Sequence, residues 1–156
     1  MENSIDQIVN DIAISINNII PVKWKDAYFY GEVGENKESH IIGMYFYNKK
    51  KRSYMDFTEI TDFYPSVNNF SSEFNKLNNL VLELYDVFIK NDMQPWGAVL
   101  IEIDKKRKVN LKFSYDWFEN GEDEFQRKIL WAHRTFGFTP QKGGYAEKII
   151  NKYDNK

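Results

Sequence analysis

Residues 96–116 read WGAVLIEIDKKRKVNLKFSYD, and residues 117–137 continue WFENGEDEFQRKILWAHRTFG. The periodicity of this stretch decides the fold. Val109, Leu111, Phe113 and Tyr115 alternate with Asn110, Lys112, Ser114 and Asp116. A period of two predicts a strand with one buried face. The preceding run, residues 99–103, is apolar on both faces, which predicts an interior or doubly covered strand. The basic turn at 105–108 joins them as a hairpin. The period then changes: Phe125, Ile129, Ala132 and Phe136 follow helical spacing. Asp123 or Asn120 can cap that helix. Gly137 suits its C-terminal stop, and Pro140 prevents its resumption.

Upstream, Ile5, Ile8, Val9, Ile12, Ile16 and Ile19 form an apolar stripe at three- and four-residue spacing. It predicts a first helix, capped by Asn3 or Ser4 and ended at Ile20-Pro21. Such a stripe packs on a sheet or docks on a partner. Trp24 to Val33 reads as a strand, residues 39–47 as its neighbour and residues 54–59 as a shorter third. Turns fall at 34–37 and at the basic 49–52. Residues 62–69 read as a loop. Ser71 or Ser72 then caps a helix with Phe74, Leu77, Val81, Leu84 and Phe88 along one face. After Pro140, Ile149 and Ile150 suggest a last helical turn, and the tail from about residue 141 is expected to fray.

The order is therefore helix, three strands, helix, two strands, helix. Short connections favour antiparallel pairing. The expected fold class is α+β: a single antiparallel sheet of about five strands with helices packed against it, in the order α-β-β-β-α-β-β-α. With 156 residues and no linker or repeat, one domain over 1–156 is expected.

Composition narrows function mostly by exclusion. Hydrophobic residues are 42% and aromatics 17%, enough for a core, and the net charge is -2. That balance argues against nonspecific nucleic-acid binding, which needs a basic surface. The absence of cysteine excludes disulfides and thiolate zinc sites. There is no G-x-S-x-G elbow, no G-x-G-x-x-G and no phosphate-binding loop, so neither a nucleophile nor a cofactor is marked. No apolar run is long enough for a bilayer, and no basic n-region or A-x-A-like site precedes the first helix. A cytoplasmic protein without cofactor or membrane partner is expected.

Two clusters remain as candidate binding features. Asp116, Glu119, Glu122, Asp123 and Glu124 follow one another without a Lys or Arg between them. Their spacing is not that of a calcium loop. They either serve the helix start, where acidic side chains meet the positive end of the dipole, or dock on a basic partner. Tyr28 and Tyr30 share one face of the first strand, and Tyr45 and Tyr47 share one face of the second. Tyrosine there packs across strands or forms a protein-binding patch. An acid–base enzyme using the acidic corner with His133 is the competing class, and an adaptor using the Tyr face is a third.

The combined order of several fragments resembles the YezG/EsaG-like immunity proteins, antitoxins of bacterial polymorphic toxins. It comprises Pro21-x-x-Trp24 after an isoleucine-rich helix, Tyr45 and Tyr47, and Trp96 opening a hairpin. It continues with Phe113-x-Tyr115-Asp116 and then Arg127, Trp131, Gly137 and Pro140. Two positions depart from the pattern. The turn at 105–108 has no glycine, and His133 stands where an aromatic is expected. The resemblance implies a non-catalytic, cytoplasmic protein without cofactor. Its partner would be a cognate toxin, often a nuclease domain exported by type VII secretion, rather than nucleic acid itself. Asp116, Glu119, Glu122, Tyr28, Tyr30, Tyr45 and Tyr47 are the candidate partner-binding residues.

Overall fold

The computed structural model describes residues 2–115 and 123–154. The chain divides into two compact units, Met1–Tyr115 and Asp116–Lys156. The first holds α1 (Glu2–Ile19), β1 (Trp24–Val33), β2 (His40–Asn48), β3 (Ser53–Asp56), α2 (Ile60–Phe63), α3 (Phe70–Lys90), β4 (Ala98–Ile103) and β5 (Val109–Ser114). The second holds α4 (Glu124–Phe136) and α5 (Tyr145–Asp154). The α+β class is as expected from the sequence: one five-stranded, wholly antiparallel sheet, ordered β3-β2-β1-β4-β5.

Ala27, Phe29, Gly31 and Val33 share one face of β1 because side chains alternate along a strand. Phe29 lies opposite Met44 on β2 and Ile101 on β4. This face meets the apolar stripes of α1 and α3, and the core joins Ile12, Ile16, Leu77, Val81 and Leu84 to Phe29, Phe46 and Val99. The α1 stripe is thus core within this unit. A Cβ at Gly31 would stand 3.0 Å from Val81 Cγ2 and 3.1 Å from Val99 Cγ1. Glycine is what lets α3 lie this close to the strand. Between the helices, the buried Ser15 hydroxyl donates to Glu73 Oε2 at 2.6 Å.

Three boundaries differ from the sequence reading, each for a local reason. The third strand stops at Asp56, where a capping box forms: Asp56 Oδ1 accepts from Thr58 N, and Asp56 N donates to Glu59 Oε1. The chain turns into a 3-10 segment there and continues as α2. Helix α3 begins before Ser71, with no side-chain cap, and the Ser72 hydroxyl donates instead to Asn69 O. Phe70 starts it because its ring stacks on Phe74 and Phe57. Helix α5 runs for ten residues rather than one turn. Ala146, Ile149, Ile150 and Tyr153 form its apolar stripe and join Ile129 and Leu130 of α4 in a separate small core.

Candidate functional site

Two candidate regions can be built from the first unit, and a third candidate lies largely outside the described residues. The tyrosines come first. Tyr28, Tyr30, Tyr45, Tyr47 and Tyr54 share the sheet face opposite the helices, since Tyr28 pairs with Tyr45 and Tyr47 with Tyr54. They are not equivalent. Tyr30 and Tyr45 are 1% and 0% exposed, and the Tyr30 hydroxyl donates to the buried carboxylate of Glu32 at 3.2 Å. Tyr28, Tyr47 and Tyr54 are half-buried and meet edge to face, with centroids 6.0 Å apart for Tyr28–Tyr54 and 5.2 Å for Tyr47–Tyr54. The Tyr54 hydroxyl donates to Asp26 Oδ2 at 3.0 Å. Burial, then the Asp26 charge, pushes the Tyr54 phenol well above its ordinary value. Burial, then the Glu102 charge, raises Tyr28. The four expected tyrosines are therefore brought onto one face, and two of them are closed to solvent.

The second region is the rim of the sheet where β1 begins. Trp24 pairs with Asn48, but Ala27 pairs with Phe46, so β1 carries an extra residue as a bulge. Pairing with β4 starts only at Ala27. The carbonyls of Trp24 and Lys25 therefore need another partner, and Arg107 supplies it. One guanidinium nitrogen donates to Lys25 O at 2.9 Å and another to Trp24 O at 3.0 Å. The same guanidinium lies over the Trp24 ring, 3.4 Å from its centre. Arg107 reaches this position from a left-handed backbone, φ 67°. This is the conformation a glycine would be expected to supply in the turn at 105–108. Asp104 builds that turn by accepting from Lys108 N and Lys106 N. Those backbone bonds hold its carboxyl below the usual range.

The turn at 49–52 stands on the same rim and is organised by Asn48, which is fully buried. Its Oδ1 accepts from Lys50 N and Lys51 N at 2.9 and 3.1 Å, and its Nδ2 donates to the Tyr64 hydroxyl at 3.0 Å. A cavity of about 490 Å³ opens between the two turns, lined by Lys23, Trp24, Lys49 and Arg107. A second, of about 310 Å³, adjoins it at Trp24 and is walled by Ala13, Ile14, Ile103 and Val109. Charge patterning in the sequence marks both turns as basic, but nothing in it shows that they meet at one rim.

The acidic corner is the third candidate. Asp116, Glu119 and Glu122 lie outside the described residues. Asp123 and Gln126 form the capping box of α4, with Asp123 Oδ1 accepting from Gln126 N at 2.8 Å and Asp123 N donating to Gln126 Oε1. At the other end, Gly137 takes the left-handed conformation, φ 75°. His133 Nδ1 donates to Phe138 O at 2.9 Å, and Arg134 Nε to Asp154 Oδ1 at 2.9 Å. His133 thus sits in the helix terminus, within contacts that join α4 to α5. Among the described residues, no group of three His, Cys, Asp or Glu side chains is placed to hold a metal. Nor, among them, is any helix long and apolar enough to cross a membrane.

Comparison with known proteins finds relatives along most of the chain. A type VII secretion system protein, EsaG of Staphylococcus aureus, is 27% identical over 156 residues, covering 97% of this chain and 90% of its own. Immunity protein YezG of Bacillus subtilis is 24% identical, covering 90% of this chain and 93% of its own. YezG of Bacillus spizizenii is 24% identical over 84% of this chain and 81% of its own. Both Bacillus relatives are named as immunity proteins, a non-enzymatic family, which sets aside the acid–base reading of His133. The family model described as YezG-like immunity protein matches residues 5–150, and the chain belongs to that family.

Proposed function

We propose that this chain protects its producing cell by binding the nuclease domain of a secreted toxin in the cytoplasm. The observation that carries the immunity role is the family match over residues 5–150. The name of the staphylococcal relative supports type VII secretion as the export route of the toxin. The nuclease is our finer reading. A nuclease site is electropositive because it holds phosphates, so an acidic inhibitor complements it. Asp123 already completes the α4 capping box. The helix start therefore does not require Asp116, Glu119 and Glu122, which supports assigning them to the toxin. Tyr28 and Tyr47, the half-buried members of the Tyr face, are secondary candidates, whereas burial weighs against the rings of Tyr30 and Tyr45.

Copurification with the C-terminal domain of a candidate toxin, sought among the genes beside this one, tests the function. Capture and loss of DNA cleavage are expected. Capture of a toxin that cleaves no nucleic acid would replace the nuclease, and no capture would remove the toxin partner. For the acidic corner, Asp116→Asn/Glu119→Gln/Glu122→Gln should slow association and flatten its salt dependence, with thermal stability kept. Equal on-rates and salt slopes for variant and wild type would take the corner out of the interface.

A further inference from the structure

The rim where β1 begins concentrates positive charge. The turns at 49–52 and 105–108 are basic at every position, and Lys23 and Lys25 stand between them. The register puts all of these at one end of the sheet, because Trp24 faces Asn48, Asn48 faces Ser53, and Ile103 faces both Ala27 and Val109. Ten of the chain's 21 lysines and arginines lie there, in a chain of net charge -2. All ten are exposed. Asp26 and Asp104 share this end of the sheet and both are engaged, Asp26 by the Tyr54 hydroxyl and Asp104 by its own turn, while Glu59 lies close enough to interact with Lys51. Like charges so crowded repel one another, and the structural role of Arg107 accounts for only one of the ten. Moreover, Arg52 and Arg107 both occupy left-handed backbone, φ 55° and 67°, where glycine would be less strained.

The chemistry of the occupant follows from what lies beside the charges. The apolar cavity at Trp24 is open, with Ile14 47% and Val109 36% exposed. An apolar centre bordered by charge is the anatomy of a protein interface. A nucleic acid would instead use aromatic faces for stacking. Here one face of three rim aromatics is taken by the protein's own cation: Trp24 by Arg107, Phe63 by Lys51 and Tyr47 by Lys25. We propose that this rim docks an acidic protein segment of the toxin, with an apolar side chain seated between Ile14 and Val109 and carboxylates on Lys23 and Lys49. The assignment of the partner rests on the immunity reading above.

The test measures binding kinetics of the toxin domain captured by that copurification to four forms of the full chain. These are wild type, Lys23→Glu/Lys49→Glu, Ile14→Ser, and Lys76→Glu/Lys142→Glu as a reversal of equal charge away from the rim. Thermal melts accompany each, and Lys23→Gln/Lys49→Gln replaces the reversal if that variant melts early. The rim reversal should weaken binding roughly tenfold or more, mainly in the on-rate at low salt. Ile14→Ser should raise the off-rate, and the distant reversal should change little. A rim reversal that binds as wild type does, or a distant reversal that loses as much, overturns the proposal while leaving the immunity reading intact. So does tighter binding of a short DNA duplex than of the toxin, abolished by the rim reversal. A wild type that binds no toxin overturns the immunity reading and this partner together.

Discussion

The Arg107 guanidinium lies 3.4 Å from the centre of the Trp24 ring and donates to the carbonyls of Trp24 and Lys25. One side chain thereby ties the β4–β5 turn to the bulged start of β1, across more than eighty residues of sequence. Truncation should be felt in stability. Arg107→Ala loses both hydrogen bonds and the ring contact, and leaves a Cβ on left-handed backbone. A loss of about 1–3 kcal/mol is expected. Arg107→Gly loses the same contacts but relieves the backbone, so it should be more stable than the alanine variant by about 1 kcal/mol. Urea unfolding of the three proteins decides it. An alanine variant as stable as the glycine variant would mean that the left-handed conformation carries no strain.

Asn48 should be among the most sensitive polar positions. Asn48→Ala removes the acceptor for Lys50 N and Lys51 N and the donor to the hydroxyl of the half-buried Tyr64. The expected cost is roughly 1–3 kcal/mol, because three part-buried hydrogen bonds are lost together. In a chain of this size each kcal/mol lowers Tm by about 2–4 °C. Thermal melts of Asn48→Ala and Asn48→Asp test this, and a shift below the first kcal/mol in both would contradict it.

Gly31→Ala should destabilise through overpacking. The new Cβ would meet Val81 and Val99 at 3.0–3.1 Å. Both neighbours are β-branched and stiff at χ1, so they yield little. The expected loss is about 1–3 kcal/mol. Val81→Ala opens the same space, so the double variant should be more stable than the sum of the single losses implies. Strict additivity in denaturant unfolding would show that α3 shifts to make room.

Alkaline pH should weaken the fold. Burial raises the phenols of Tyr28, Tyr45 and Tyr54 above the ordinary 10.0. The folded chain therefore keeps protons that the unfolded chain loses. Their contribution is complete below pH 10.0 and is lost as pH rises through the folded values. Unfolding midpoints should fall above that point, and phenolate absorbance should show these tyrosines titrating late. Replacing Tyr54 by Phe should make the alkaline decline shallower. A slope unchanged by that substitution would assign the decline to other groups.

The sheet was legible because alternation and turn residues agree along most of its length. Trp24 to Val33 reads directly as a strand. The misread segments carried signals that were present but short. Asp56-x-x-Glu59 is a helix-start pair hidden in what reads as strand. Ala146, Ile149, Ile150 and Tyr153 have helical spacing in a polar context. The tyrosine face was half legible. Alternation gives the face, but a tyrosine is compatible with either burial or exposure, so Tyr30 could not be separated from Tyr28. The rim was least legible, since an arginine in left-handed backbone announces neither its conformation nor its contact with Trp24.

The strand order also sets an order of assembly. Strands β1, β2 and β3 are neighbours in both sequence and space, and so are β4 and β5. The pairing of β1 with β4 joins Ala27 to Ile103 and spans the whole of α3. Contacts so distant in sequence form slowly, because the intervening loop must close first. During synthesis the inner edge of β1 stays unpaired until β4 has left the ribosome. An unpaired strand edge recruits other chains. A nascent chain stalled before Ala98 should therefore aggregate more readily than one released after the β4–β5 hairpin docks.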